Sequence, residues 1–402
     1  MEHQLKTSFV IPLFVAASFC HAQTPLSATD ALKLAAQNRP ALKSAKLGVE
    51  QARNASRALG AYAPTTFFIG ASSRSELGSN DQDLQLSQPL DFFGRRRAGQ
   101  RLGEAGIQLS LAEYVLLATD LQNDVLTAYA ESVANQHQKE VAAELLKIAE
   151  GLLIATQRRF DEGKVAETQV TRASIEFERA KQSAELTSAD LNASLEKLSG
   201  LLRTETSSIA LEADAKIEPL VNPAIDGRPD LLVLRSQVQI AEADAGVARV
   251  SNRPELSAQI VRSPWSNDPG YFAGRLQLSW ALFDHGKARN ETSAAKKRAE
   301  AARELLEDAT GRARAEVKAA QIALEARQSR IARYEAILVS ARDLVAKSQK
   351  GYSEGFGTQI DVLESTRALR EVEQELVEAR QQLSLAVIAQ YRASGFLAEV
   401  LK

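Results

Sequence analysis

The chain has 402 residues, of which 45% are hydrophobic and 25% are charged but only 5% are aromatic. This balance is typical of long alanine-rich helices that pack through small side chains, and it disfavours an enzyme core built around an aromatic pocket. The formal net charge is −2, so the sequence lacks the basic character of a nucleic-acid-binding protein.

The first segment predicts export. Lys6 precedes a mainly apolar run and then the small residue Ala22, so residues 1–22 are typical of a secretory signal peptide. Cys20 is the only cysteine. It either leaves with the signal, which we favour, or carries a lipid if cleavage occurs before it. In the first case the mature chain has no disulfide and no thiolate metal site. No later stretch approaches twenty apolar residues, so spanning a membrane would require strands.

Residues 23–202 predict a helix, a hairpin, a long helix and a returning helix. Ser27 is the expected N-cap of the first helical segment, which continues to about residue 59. Strands at about 65–92 alternate apolar and polar residues, and each arm has the length of a tilted membrane-crossing strand. The helix from Arg95 to Asp161 would be roughly 100 Å long at 1.5 Å of rise per residue.

Residues 203–227 predict a connector, and residues 228–402 predict a second copy of the same unit with strands at about 254–284. Its long helix runs from Gly286 to Lys350. Three pairs of residues are each separated by 192 positions: Leu84 and Leu276, Gly94 and Gly286, and Gly163 and Gly355. The chain is therefore an internal duplication. Four short strands cannot close a barrel alone, so several copies are expected to share one barrel.

The doubled unit resembles the TolC-type outer membrane efflux protein family, in particular its CzcC-like branch for cobalt, zinc and cadmium resistance. The resemblance covers essentially the whole mature chain. It is carried by the order of the elements and by these segments: 87–95 before the first long helix, 159–166 at the first helix turn, and 351–364 at the second.

The resemblance implies a mainly α fold with a small membrane β-barrel. In that fold a homotrimer forms a trimeric α-barrel, the periplasmic tunnel, and a shared 12-stranded β-barrel in the outer membrane. It also implies docking to a periplasmic adaptor protein and to an inner membrane RND-type pump. The implied function is that of the outer membrane channel of a tripartite efflux system, with heavy-metal cations as the expected substrate. Drug efflux and type I protein secretion stay open as alternatives.

The resemblance also identifies candidate site residues. Two acidic residues that ring the narrowest point of the family's tunnel match Asp361 and Glu364, which lie three apart and therefore on one helical face. Six carboxylates in a threefold constriction would favour cations. A solvated acidic turn is the alternative.

The family's closed state is held by links at the periplasmic tip, and Tyr352 and Thr168 match two of the residues in these inter-helix contacts. Gly357 stands where an arginine occurs in the family and Gln169 where an aspartate occurs. The corresponding charge lock is therefore absent here.

No enzyme or cofactor is expected, because the sequence has no nucleophile–base pair and no glycine-rich phosphate loop. His137 and His285 lack ligand spacing to each other, so no metal site is predicted. The alternative from another class is a periplasmic coiled-coil adaptor or scaffold. It would share the long helices and the signal, but it leaves the two hairpins without an explanation.

Overall fold

The computed structural model describes residues 25–74, 79–212, 217–262 and 272–401. The predicted signal segment, with Cys20, lies outside these residues. The helices are α1 (Ala28–Asn38), α2 (Pro40–Leu59), α3 (Arg95–Asp161), α4 (Glu167–Leu202), α5 (Pro229–Ser251), α6 (Lys287–Glu354) and α7 (Gln359–Ser394). The strands are β1 (Thr66–Arg74), β2 (Ser79–Leu90), β3 (Glu255–Arg262) and β4 (Phe272–Ser279).

The four strands form one antiparallel sheet in the order β1-β2-β3-β4, so the two hairpins are joined by the β2–β3 pairing. One face is polar. On it Gln259 is buried, its Oε1 accepts from Arg275 Nε at 3.0 Å, and its Nε2 donates to Gln277 Oε1 at 3.0 Å. The opposite face exposes apolar side chains, among them Phe67 at 62% and Leu276 at 71%. The alternation read from the sequence is confirmed.

The helices form two long antiparallel hairpins, α3 with α4 and α6 with α7, that extend away from the sheet. On the sheet side, the neighbours run in the order α2, α3, α5, α6. On the far side α3 also packs on α7. α3 is therefore enclosed, whereas α6 packs chiefly on α5 and α7, touches α3 towards the tip, and in the described part of the chain leaves one flank open. Both long helices begin after a glycine with φ +82°, Gly94 and Gly286.

The hydrophobic core is concentrated at a waist around the middle of α3. Val125, Leu126 and Tyr129 are fully buried there among residues of α1, α4 and α7. The hydroxyl of Tyr129 donates to the carbonyl of Leu26 at 2.8 Å, and burial raises the pKa of Tyr129 to about 12. Ser27 caps α1 by accepting from Asp30 N at 3.1 Å, as its position predicts.

Two buried glutamines hold irregular segments at the waist. Gln390 of α7 accepts from Leu220 N at 2.9 Å and donates to Leu220 O at 3.1 Å. Gln122 of α3 donates to Phe396 O at 2.8 Å and accepts from Ala398 N at 2.8 Å. Each side-chain amide bonds to backbone groups that lie outside the helices and strands. The connector at Leu220 and the residues after α7 are therefore held to the helices. Within the described ranges no helix has the length and apolarity needed to cross a membrane.

Candidate functional site: the helix tip opposite the sheet

The tip is formed by the two turns that join the helices farthest from the sheet, residues 156–169 and 351–367. The α3–α4 turn passes through Gly163 with φ +71°, and the α6–α7 turn passes through Gly355 with φ +90°. Left-handed backbone of this kind favours glycine, which explains the two glycines that the repeat predicts at corresponding places.

Tyr352 fastens the second turn to the first. Its side chain is 2% exposed, and its hydroxyl is 3.0 Å from Thr156 Oγ1 on α3. Arg159 of α3 donates through Nη1 to Tyr352 O at 2.8 Å and stacks its guanidinium 4.7 Å from the ring centre. Cation–π and hydrogen-bond contacts therefore converge on this one tyrosine. Its hydroxyl partner is Thr156 rather than Thr168.

Asp361 closes a capping box at the start of α7. Its Oδ2 accepts from Thr358 N at 2.9 Å and from Thr358 Oγ1 at 2.8 Å, while Thr358 Oγ1 accepts from Asp361 N at 3.2 Å. The backbone hydrogen bond from Thr358, followed by its hydroxyl, lowers the pKa of Asp361 below its usual value. This carboxylate therefore stays charged over a wide pH range at a helix N-terminus.

Asp361, Glu364 and Arg367 lie three residues apart along one exposed face of α7, while Val362 and Ser365 are buried on the opposite face. Arg367 Nη1 is 4.0 Å from Glu364 Oε1, and both side chains are about two-thirds exposed. The structure thus brings the two predicted carboxylates onto one surface and adds a guanidinium beside them.

The remaining predicted tip residues have separate surroundings. Thr168 is exposed in the first turn of α4, and in the described part of the chain its hydroxyl has no hydrogen-bond partner. The backbone carbonyl of Gln169 accepts a hydrogen bond from Gln359 Nε2 at 2.8 Å. Gly357 packs on the preceding helix end, where an added Cβ would lie 3.0 Å from Tyr352 N. A larger residue at position 357 would require this turn to shift.

No group of three or more metal-ligating side chains occurs among the described residues. His137 pairs with Glu140 on the surface of α3, with Nδ1 3.2 Å from the carboxylate. His285 lies in the turn before α6 with φ +49°.

The sequence model described as "Outer membrane efflux protein" matches residues 31–202 and 220–395 of this chain. The chain belongs to the outer membrane efflux protein family. Membership makes it a transport protein of the outer membrane rather than an enzyme, and it removes the periplasmic scaffold alternative. The family resemblance seen in the sequence is confirmed at this level.

Curated relatives agree with this assignment. The chain is 23% identical over 340 residues to the pyoverdine export outer membrane protein OpmQ of Pseudomonas aeruginosa, covering 81% of this chain and 71% of OpmQ. It is 25% identical over 353 residues to the outer membrane protein TolC of Vibrio cholerae, covering 81% and 80%. These names do not include the heavy-metal branch, so the CzcC-like assignment stays a prediction.

Solved structures show the same fold. VceC from Vibrio cholerae superposes with a TM-score of 0.77 at 19% identity, over 92% of this chain and 96% of VceC. CusC superposes with a TM-score of 0.76 at 19% identity, over 98% of each chain. The efflux-family fold therefore extends through both hairpins and the sheet.

Three tip residues were not among the predicted site residues: Thr156, Arg159 and Arg367. Arg159 belongs to the first-turn segment that carries the family resemblance, and its place one turn before Gly163 was an available signal. The Tyr352–Thr156 contact joins residues 196 positions apart, so no local pattern predicts it.

Proposed function

We propose that this protein is the outer membrane channel of a tripartite efflux system and that it acts as a homotrimer. The sheet is the observation that carries this proposal. It exposes an apolar face and has β1 and β4 as unpaired edges, which in lipid must be closed by further strands. Three copies would supply the twelve strands of a shared β-barrel and a periplasmic α-barrel beneath it.

The open flank of α6 supports the same assembly. Leu305, Ile322 and Val339 are each at least 60% exposed on this helix, which among the described residues packs chiefly on α5 and α7. A neighbouring copy packed there would cover them. Light scattering of the detergent-solubilised protein, corrected for bound detergent, should give a mass of three chains. A monomer would contradict the proposal.

An inner membrane RND-type pump and a periplasmic adaptor protein are the proposed partners. Phe356 supports an adaptor contact, because it is 89% exposed at the extreme tip, where no described segment of its own chain covers it. By the 192-residue offset its counterpart in the first turn is Lys164, so the aromatic tip is particular to the second turn. Heavy-metal cations are the proposed substrate on the strength of the branch resemblance. Export of a siderophore, a drug or a protein is the second candidate, favoured by relatives named for pyoverdine export and alkaline protease secretion.

Asp361 and Glu364 are the proposed channel constriction. Their shared exposed face on the first turns of α7 supports this role. In a trimer the ring would contain six carboxylates and three Arg367 guanidinium groups, so its net charge would be about half that of the carboxylates alone. Tyr352 is proposed to hold the closed tip through α3, and exposed Thr168 to add contacts once three copies meet.

Planar-bilayer conductance tests the constriction. Asp361→Asn with Glu364→Gln should weaken cation selectivity and block by multivalent cations, because the clustered negative charge is removed. The matched control is Asp161→Asn with Glu162→Gln, which removes the same charge from the first turn and should leave selectivity unchanged. Arg367→Gln should strengthen cation selectivity. Unchanged selectivity in the first variant, with trimers intact, would refute the assignment.

We also propose the domain organisation of a signal peptide, residues 1–22, two structural repeats, 23–202 and 228–402, and the connector 203–227. Mass spectrometry of the exported protein should give Gln23 as its first residue. A lipid-modified Cys20 would contradict cleavage after Ala22.

A further inference from the structure

A basic pocket lies between the end of α5 and the start of α6, directly beside the ends of β3 and β4. Its volume is about 470 Å³. Arg249 and Arg253 approach from the α5 side, and Arg289 and Lys296 from α6. The small or polar side chains between them include Asn252 and Thr292, which are half-buried and add hydrogen-bonding groups. Among the described residues, the lining contains four cations and no carboxylate.

The nearby acids are already engaged. Glu255 pairs with Arg95, Glu291 with Lys287, and Glu242 with Arg303. Asp284 caps α6 by accepting from Gly286 N at 3.0 Å and from Ala288 N at 2.9 Å. In the part of the chain that the structure describes, none of the four pocket cations has a carboxylate within ion-pair distance. Their charges are therefore left to attract an anion from outside the chain.

The duplication shows that this charge is particular to the second repeat. Pro40 and Pro229 begin corresponding helices, so α5 positions match positions 189 lower in α2, and Gly94 and Gly286 relate α6 to α3 by 192. By these offsets Arg289 has a basic counterpart, Arg97. The counterparts of the other three cations are Gly60, Pro64 and Glu104.

The first repeat also closes the corresponding groove. A Cβ on Gly103 would lie 2.6 Å from Ser56 Cα, and one on Gly99 would lie 2.5 Å from Leu59 O, so α3 meets α2 backbone to backbone. The α6 counterparts of these glycines are Ala295 and Glu291. Their side chains prevent such an approach, and here the groove contains the pocket.

Apolar side chains border the pocket on the side of the sheet. The indole of Trp280 is 55% exposed and donates through Nε1 to Asn252 O at 3.2 Å, which places the ring next to the pocket lining. Leu282 and Phe283, in the loop from β4 to α6, are 68% and 87% exposed. Exposed aromatic and apolar residues next to cations suit a ligand with a charged head and an apolar body.

We propose that this pocket binds the phosphate head group of an anionic phospholipid at the lower edge of the membrane. Arg249, Arg289 and Lys296 supply the charge, Thr292 and Asn252 supply hydrogen bonds, and Trp280 and Leu282 contact the acyl chains. The proposal rests on the membrane position of the sheet proposed above. Three such pockets would surround each trimer.

Native mass spectrometry of the full-length protein in detergent tests the proposal, with phosphatidylglycerol and phosphatidylcholine as probes. Phosphatidylglycerol should bind, and Arg249→Gln with Arg289→Gln and Lys296→Gln should weaken its binding about 100-fold, since each basic side chain near an anionic surface contributes roughly a factor of five. Arg253 is left in place because it also donates to Phe93 O at 2.9 Å. The single variant Lys296→Gln should give a loss of about fivefold.

The control is Arg298→Gln with Arg314→Gln and Lys318→Gln, which removes the same charge from exposed positions of α6 away from the pocket. Equal loss in this control, or full binding in both pocket variants, would overturn the site. Displacement of phosphatidylglycerol by equimolar inorganic phosphate would overturn the lipid assignment. The same spectra report the mass of the assembly, and conductance is measured separately, so a failed lipid site is distinguishable from a failed channel.

Discussion

The hairpins α3/α4 and α6/α7 share a backbone plan, but different interactions hold each one together. The long helices have 67 and 68 residues, yet twenty residues are buried in α3 and only seven in α6. α3 packs against five helices, α1, α2, α4, α5 and α7, and relies on apolar packing. α6 has one open flank, and charged side chains tie it to α7: Arg342 to Glu373, Arg330 to Glu375, and Glu335 to Arg380. A duplicated chain keeps its fold while each copy adapts its contacts to its place in the assembly.

The largest expected effect comes from the α6–α7 ion pair that is partly buried. Glu373 has a side chain only 7% exposed, and it accepts from Arg342 Nε at 3.1 Å and Nη2 at 2.7 Å. Arg342→Met leaves that carboxylate unpaired, so we expect a loss of about 2–3 kcal/mol in the free energy of unfolding. This loss is smaller than the roughly 3–5 kcal/mol typical of a fully buried pair, because Arg342 itself is half-exposed.

Arg380→Met is the control for that variant. Arg380 and Glu335 are both about half-exposed, so breaking their pair should cost under about 1 kcal/mol. Urea denaturation of the purified protein gives both values. Equal losses in the two variants would show that burial of Glu373 does not matter.

The next largest effect is expected in the first repeat, where α2 and α3 meet closely and close the groove that the second repeat leaves open. Gly103→Ala forces a Cβ against the backbone of Ser56, and we expect a loss of about 1–3 kcal/mol from overpacking. Gly106→Ala, one turn farther along α3, places a Cβ in open space and should stabilise the helix by up to about 1 kcal/mol. The melting temperature, measured by circular dichroism, should therefore fall for Gly103→Ala and rise for Gly106→Ala. A rise in melting temperature for both would mean that α2 and α3 separate at little cost.

A smaller effect is expected at the tip. Tyr352→Phe removes the hydroxyl that meets Thr156, at a cost of about 1 kcal/mol, and should speed amide exchange in residues 352–358. Thr168→Ala should leave exchange in the isolated chain unchanged. Hydrogen–deuterium exchange read by mass spectrometry distinguishes the two. Faster exchange after the Thr168 substitution alone would reverse the roles given to these residues.

The smallest effect concerns pH. The pKa of Asp361 is lowered in the folded chain, chiefly by the Thr358 backbone hydrogen bond, so its contribution to stability is present above the carboxyl's unfolded pKa of about 4. That contribution is lost as the pH falls through the lower folded value. Nuclear magnetic resonance titration of the Asp361 carboxyl should give a midpoint below about 4. Thr358→Ala should raise that midpoint in part, because it removes the hydroxyl and keeps the backbone N–H, and an unchanged midpoint would show that the hydroxyl does not contribute.

Much of the fold was predictable because its signals are local. The bounds of α3 agree with the sequence prediction, since Gly94 and Gly163 mark its ends and no proline interrupts it. The end of α6 was placed four residues early, at Lys350, because its last turn continues through Tyr352 to the left-handed Gly355. Asp361 and Glu364 were proposed as site residues from the family resemblance, and their spacing alone puts them on one face of α7. The hydrogen bonds of Gln122 and Gln390 at the waist were not predictable, because they join segments far apart in the chain. The same is true of the basic pocket.

The waist cluster has a consequence for the order of folding. Ala31 and Leu32 near one end of the described chain pack in the same cluster as Leu397 and Leu401 near the other, over Leu121 and Val125 of α3. A polypeptide that crosses a membrane from its amino end delivers residues 31 and 32 long before residues 397–401. Part of the apolar waist of the first hairpin therefore stays uncovered until the last segment arrives. A periplasmic chaperone has its greatest opportunity to act during that interval.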